Sequence, residues 1–126
     1  MANNQFDVII IGAGIIGSMV ARELSRYELN TMVIEKYSDV GMGASSANSA
    51  ILHAGYDPKP DSLKAKMNVR GNKLWDDRAV ELDVPTKKTG SYVVAIGAEE
   101  LPALDELYER GVANGIAGMR ILTREE

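Results

Sequence analysis

The apolar positions define the first elements. Phe6-Asp7-Val8-Ile9-Ile10-Ile11 becomes a continuous apolar run after Asp7, the pattern of a strand buried on both faces of a parallel sheet. Gly12-Ala13-Gly14-Ile15-Ile16-Gly17 follows at once. From Ser18 to about Glu28, Met19, Val20, Leu24 and Tyr27 recur at helical spacing and face the sheet, with Arg22, Glu23 and Arg26 on the solvated side. Leu29-Asn30 stops that helix, and Thr31-Met32-Val33-Ile34 forms a second strand ending on Glu35, a connection as short as αβ units use. The periodicity then lapses. Gly41 to Ala50 is small and polar, and Ile51 to Pro58 leads to a third periodic stretch.

That stretch predicts a helix over 60–83, with Asp61 or Ser62 as its cap and Leu63, Met67, Gly71, Leu74, Arg78 and Leu82 on one stripe. Lys87 to Gly97 reads as a strand bounded by glycines. Residues 99–114 read as a helix with Pro102 in its first turn and Leu101, Leu104, Leu107 and Val112 inward, stopped by Asn114-Gly115. Met119 to Leu122 reads as a short strand. Met1 to Gln5 is a polar lead-in.

Strand, glycine turn, helix, strand and acid is the order of a dinucleotide-binding unit, with Glu35 roughly 20 residues past the first glycine. Gly12 permits the tight turn, Gly14 lets a pyrophosphate approach the backbone, and Gly17 lets the helix pack against the strand. The unpaired N–H groups of the helix mouth then face the phosphates. Glu35 would accept hydrogen bonds from the adenosine ribose hydroxyls, and an acid there disfavours a 2′-phosphate, so FAD or NAD is expected rather than NADP. The alternative is a strand–turn–helix that uses its glycines only for packing.

The 126-residue length suits one ordinary domain, and 45% hydrophobic with 25% charged residues is a globular composition. A net charge of −4 gives no global basic footprint, so no nucleic-acid partner is expected. Cysteine is absent, which excludes disulfides and thiolate metal sites and suits a reducing compartment; no metal site is expected. The apolar stretch Val8 to Ala21 is preceded by Asp7, interrupted by glycines and too short to span a bilayer. A cytoplasmic location follows as the expectation, with any peripheral membrane association resting on other segments.

The small polar stretch Gly41 to Ala50 is either a solvent loop or a chain that lies flat against a cofactor, its hydroxyls and N–H groups meeting phosphate or ring edges. Its companions resolve the resemblance. Asp7 to Gly17, Ile34-Glu35-Lys36, Ala47-Asn48-Ser49-Ala50-Ile51-Leu52-His53-Ala54-Gly55-Tyr56-Asp57-Pro58-Lys59-Pro60 and Leu63-Lys64-Ala65-Lys66 resemble the N-terminal part of FAD-dependent oxidoreductases of the D-amino-acid oxidase/glycerol-3-phosphate dehydrogenase superfamily. Within it, the chain is most similar to the anaerobic-type glycerol-3-phosphate dehydrogenases, then to the L-2-hydroxyglutarate oxidases. The resemblance implies extended FAD, with Gly12, Ala13, Gly14, Ile15, Ile16 and Gly17 under the pyrophosphate and Glu35, followed by Lys36, at the ribose. It also implies Ser45, Ser46, Asn48 and Ser49 along the phosphates toward the flavin, and His53 near the isoalloxazine ring. Many relatives carry Gly where Ala50 stands.

His53 is the single histidine. It is either a ring satisfied by a backbone carbonyl, an exposed loop residue, or a catalytic group that orients substrate or accepts its hydroxyl proton. Lys64, Lys66 and Arg70 either attract an anionic substrate or form a solvated helix face. Trp75 is expected in the core. The fold class expected is α/β: the N-terminal βαβ of a Rossmann-like FAD-binding domain over 1–84 plus the start of a substrate-side domain over 85–126, incomplete as a fold. A doubly wound sheet needs further parallel strands, and Thr123-Arg124-Glu125-Glu126 has the form of a capping box that opens a helix.

The function expected is therefore that of the N-terminal fragment of an FAD-dependent dehydrogenase or oxidase, moving hydride from a small anionic hydroxy substrate, glycerol 3-phosphate foremost, to flavin. An L-2-hydroxyglutarate oxidase-like flavoenzyme, a nicotinamide-dependent dehydrogenase and an inactive truncated nucleotide-binding fragment are the alternatives. The expected partners are the remainder of the enzyme or a second copy, because the first strand would leave an apolar edge.

Overall fold

The structure is a computed structural model that describes residues 5–123 and 125–126. Residues 1–4 of the polar lead-in, and Arg124 of the terminal capping-box pattern, lie outside the described residues. The elements are β1 (Val8–Ile11), α1 (Ile15–Leu24), β2 (Thr31–Ile34), α2 (Leu63–Glu81), a 3-10 turn (Ala98–Glu100) and α3 (Leu101–Ala113). The chain divides into two compact units, the first ending at Ile51 and the second beginning at Leu52.

In the first unit β1 and β2 pair in parallel, with Val8 opposite Thr31 and Ile11 opposite Ile34. The pair is fastened at both ends. Asp7 N–H donates to the Asn30 carbonyl at 2.9 Å, while Asn30 N–H donates to Asp7 Oδ2 at 2.8 Å. At the other end Gly12 N–H donates to the Ile34 carbonyl at 2.7 Å, extending the ladder into the turn. Helix α1 lies against both strands.

Three expectations need correction here. β1 is not buried on both faces: Ile10 is buried, but Ile9 is 51% and Ile11 87% exposed. A two-stranded sheet with one helix covers one face, and side chains of a strand alternate between faces. Helix α1 ends at Leu24 rather than near Glu28. Ser25 Oγ donates back to the Arg22 carbonyl at 2.7 Å, and tight turns at Tyr27 and Leu29 carry the chain into β2. Tyr27 thus leaves the helical stripe and is exposed, as is Val20, whereas Met19 and Leu24 are half-buried.

In the second unit the Ser62 hydroxyl caps α2, accepting from Ala65 N–H at 3.1 Å. The buried face is made of small residues, Ala65 and Ala79, with Val69, Asn72 and Trp75 half-buried. Leu63, Met67 and Leu74 of the apolar stripe are exposed. The reason is a close backbone approach. Buried Gly55 has φ +99°, and a Cβ there would lie 3.0 Å from Val69 Cγ2, so the loop main chain rests on the small face and not on the leucines. Helix α3 behaves similarly: Gly111 is buried, with Leu104, Leu107 and Tyr108 half-buried, whereas Leu101 and Val112 point outward.

Lys87 to Gly97 and Met119 to Leu122 form no strands. A strand exists only in a ladder, and among the described residues neither segment has a neighbour to pair with. Glu126 Oε2 accepts from Thr123 N–H at 3.1 Å and from its hydroxyl at 3.4 Å, so the terminal Thr and Glu meet as a capping pattern requires, without a helix.

Replacing Ser62 with Ala should lower stability by about 1 kcal/mol, the usual worth of an N-cap hydroxyl. Urea unfolding of the two proteins measures it; equal midpoints would remove the capping role.

Candidate functional site

The glycine turn is shaped by the absence of side chains at two points. Gly12 has φ +99°, a conformation that L residues rarely adopt, and a Cβ at Gly17 would lie 1.9 Å from the Gly12 carbonyl oxygen and 3.3 Å from Ile10 Cγ2. Gly17 is therefore what lets α1 close on the turn and the end of β1. At Gly14 the backbone is extended (φ −74°, ψ −177°) and supplies no side-chain cap to α1. The cap comes from elsewhere: Ser45 Oγ accepts from Ile15 N–H at 2.8 Å and lies 3.1 Å from where a Gly14 Cβ would be. Ile15 and Ile16 are exposed at the helix mouth.

Ala13, nearly fully buried, is the centre of this arrangement. Its N–H donates to Glu35 Oε2 at 2.7 Å. Its carbonyl accepts from Gly41 N–H at 3.0 Å and from the Ser18 hydroxyl at 3.4 Å. Glu35 uses its other oxygen, Oε1, to accept from Lys36 N–H at 2.8 Å and Tyr37 N–H at 3.0 Å. The Ala13 and Tyr37 bonds hold the Glu35 carboxyl below the ordinary value of 4.5; desolvation opposes this, and the Lys36 backbone and charge add to it. An ionised carboxylate has room for further donors beside these three. The Lys36 ammonium sits 4.6 Å from the Tyr37 ring centroid.

The segment after β2 is mostly satisfied within itself. Ser46 Oγ donates to the Gly43 carbonyl at 3.1 Å. Asn48 Nδ2 donates to the carbonyls of Ala44 and Ser45 at 3.2 and 2.9 Å, and its Oδ1 accepts from Ala50 N–H at 2.7 Å. Ser49 is exposed. Of the four polar residues singled out here, Ser45 is the one whose side chain reaches the glycine turn. Ala50 adopts φ +54°, the left-handed region that Gly tolerates and Ala does not favour.

His53 belongs to the second unit and is exposed. Its carbonyl accepts from Asn72 Nδ2 at 3.1 Å. The loop that follows is pinned by α3: Asn114 Nδ2 donates to the carbonyls of Gly55 and Pro58, both at 2.9 Å, and Arg110 Nη1 to that of Asp57 at 3.3 Å. Lys66 and Arg70 line a shallow cavity on this unit together with Lys73, Leu74 and Asn114, while Lys64 lies 4.0 Å from the Asp57 carboxylate. Among the described residues no group of acidic and histidine side chains gathers into a metal site, and no helix is long and apolar enough to cross a membrane.

The sequence singles out the turn, Glu35 and Ser45, and the structure brings these three together. Sequence reasoning missed Gly41 and Ser18 as partners of Ala13, and Asn72, Arg110 and Asn114 as the residues that hold the His53 loop. Gly41-Met42-Gly43 is a signal for a backbone approach, but its partner could not be named without the register. Asn72 carries no signal of its kind, since a helical Asn reads as a neutral surface residue, and Asn114 reads only as a helix stop.

A family model described as FAD dependent oxidoreductase matches residues 7–126. The chain is 52% identical over 122 residues to a glycerol 3-phosphate dehydrogenase of Caloramator mitchellensis, covering 97% of this chain and 25% of that protein. It is 41% identical over 122 residues to a mitochondrial L-2-hydroxyglutarate dehydrogenase of Arabidopsis thaliana, with the same coverages of 97% and 25%. A solved structure, the dithionite-reduced L-alpha-glycerophosphate oxidase of Mycoplasma pneumoniae with FAD bound, superposes with a TM-score of 0.78 at 36% identity, over 90% of this chain and 30% of that one. The chain thus spans between a quarter and a third of the length of these proteins.

Two outcomes follow from the geometry. Ala50→Gly should stabilise the protein by about 0.5–1 kcal/mol, because relieving roughly 1–2 kcal/mol of left-handed strain outweighs the roughly 0.5–1 kcal/mol entropy cost of glycine; a lower denaturation midpoint would contradict it. Glu35, with its folded pKa depressed, contributes stability that is complete above the ordinary value of 4.5 and is lost as pH falls through the folded value. Glu35→Gln should therefore remove part of the acid-side loss of stability below that point, read from unfolding curves at successive pH; identical acid limbs would contradict it.

Proposed function

The chain belongs to the FAD dependent oxidoreductase family, and we propose that it forms the adenine-side portion of the FAD site in an enzyme that oxidises a small anionic hydroxy compound, glycerol 3-phosphate foremost. The observation that carries the cofactor assignment is the turn at the mouth of α1. Gly12, Gly14 and Gly17 add no side chains to it, Ile15 and Ile16 are exposed at the helix mouth, and an ionised acid stands at the end of β2. These residues fit a pyrophosphate and a ribose, since helix-mouth N–H groups favour anions and a carboxylate accepts from ribose hydroxyls.

In this reading residues 12–17 hold the pyrophosphate, Glu35 and Lys36 flank the adenosine ribose, and Ser45, Ser46, Asn48 and Ser49 follow the phosphates toward the flavin. His53 serves the ring end, as an orienting group or as the acceptor of the substrate hydroxyl proton. Residues 1–84 are assigned to the FAD-binding domain and 85–126 to the beginning of the substrate side. The bound flavin would supply the hydride acceptor. The chain's own contribution is binding and orientation. Its turn offers main-chain donors to the negative bridge, with the Ile15 N–H shared with the Ser45 hydroxyl, and the Glu35 charge is fixed by the donors already on it. The remainder of the enzyme or a second copy of the chain is the partner proposed for the exposed apolar face of β1. A cytoplasmic location is part of the same proposal.

Glycerol 3-phosphate is preferred as substrate because the relative at 52% identity is a glycerol 3-phosphate dehydrogenase and the superposed structure is a glycerophosphate oxidase. L-2-hydroxyglutarate is the second reading, favoured by the 41% identical dehydrogenase. A nicotinamide enzyme shares the opening motif but is disfavoured by the family match over residues 7–126.

The purified full-length protein should be yellow and should bleach on anaerobic addition of glycerol 3-phosphate. Bleaching by L-2-hydroxyglutarate alone would select the second reading, and a colourless protein that FAD cannot reconstitute would overturn the assignment. Gly14→Val should abolish flavin retention, because its side chain would enter the space beside Ser45 Oγ, which already lies 3.1 Å from the first added carbon. Full flavin content in that variant would remove the turn from the site.

A further inference from the structure

A carboxylate placed only to meet ribose hydroxyls would wait for its ligand with both oxygens free. Glu35 does not. One oxygen, Oε2, accepts from Ala13 N–H at 2.7 Å, twenty-odd residues away across the turn, and the other accepts from Lys36 and Tyr37 N–H at 2.8 and 3.0 Å. The side chain therefore spans from the end of β2 to the middle of the glycine turn, with a charge-assisted hydrogen bond at each end. Ala13 is buried and its carbonyl is occupied by Gly41 N–H at 3.0 Å, so Glu35 supplies the partner for a main-chain donor that would otherwise be buried and unpaired. The neighbouring residue Gly14 opens α1 without a cap of its own, and the β1–β2 ladder ends with the bond from Gly12 N–H to the Ile34 carbonyl. Glu35 restrains the turn together with the Gly41, Ser18 and Ser45 hydrogen bonds and the close packing of Gly17 on Gly12.

We propose that Glu35 is a positioning residue for the phosphate-binding turn, fastening Ala13 to the end of β2 before any cofactor arrives, in addition to the ribose contact of the proposed function on which this rests. Its carboxylate sets the direction of the Gly14 to Gly17 main chain through Ala13. Loss of the latch therefore weakens anion binding at the helix mouth even for a ligand that has no ribose. The sign is distinctive. Removing a negative charge near an anion site should by itself strengthen anion binding, so a weakening can come only from the lost geometry.

The experiment is done on the cofactor-free full-length protein, with Glu35→Gln compared to the parent. A glutamine can keep one accepting oxygen but turns an NH2 group toward the other donor. The Ala13 amide of the parent should exchange slowly with solvent, and in Glu35→Gln it should exchange roughly tenfold faster, the worth of one such bond, with α2 amides unchanged. Inorganic pyrophosphate, titrated calorimetrically at a temperature where both proteins are folded, should bind Glu35→Gln more weakly than the parent. Fast exchange of Ala13 in the parent, unaltered exchange in the variant, or pyrophosphate binding that is absent in the parent or equal or tighter in Glu35→Gln would overturn the proposal. If Glu35→Gln does not fold, the exchange rate of Ala13 in the parent decides. A parent that fails to take up FAD, yet protects Ala13, would refute the proposed function and leave the latch standing.

Discussion

The structure of the first unit depends on a contact that admits no side chain. The Gly12 carbonyl oxygen would lie 1.9 Å from a Cβ at Gly17, so any other residue there would push α1 off the turn. From this closeness the rest follows. The helix mouth is brought to the carboxyl ends of β1 and β2, where donors of the main chain and the acid of Glu35 can share one small region. Ile10, the buried residue of β1, is the hydrophobic counterpart of the same contact, 3.3 Å from that position through its Cγ2.

The segment after β2 is part of this frame and not an appendage to it. Gly41 N–H meets the Ala13 carbonyl at 3.0 Å, and Ser45 Oγ takes the Ile15 N–H at 2.8 Å. These are the groups that an anion at the helix mouth would have to share. A hydroxyl suits that place, since it accepts from an N–H and still carries a proton of its own to donate. Local bonds of Asn48 shape the stretch around Ala50, whose positive φ of 54° records a bend that glycine would adopt at lower cost. The second unit uses a different device. The loop from His53 to Pro58 is held by amide and guanidinium donors on α2 and α3, which fixes its main chain while leaving the His53 side chain exposed.

Much of the site could be read from the residues because its logic is local. Glycines at fixed spacing, an apolar run before them and an acid after the next strand each have one physical reason to be where they are. The parallel pairing and the α/β class follow from the same pattern. What could not be read depended on partners distant in the chain. The α2 stripe of Leu63, Met67 and Leu74 had the right period but the wrong face, because the buried face carries Ala65 and Ala79 and the Gly55 main chain packs against Val69. Lys87 to Gly97 has strand composition, yet composition cannot supply a neighbouring strand. The bond between Ala13 and Glu35 was hidden for a third reason: a motif names the ligand that an acid meets, not the protein groups it also holds.

The central claim is that the bare turn at the mouth of α1 receives the phosphates of FAD. The most direct measurement is a backbone amide NMR titration of the full-length apoprotein with FAD. The account predicts that the largest shifts fall on Gly12 to Gly17, with Glu35 and Ser45 next. Tight FAD uptake that leaves the amides of residues 12–17 unmoved would contradict it.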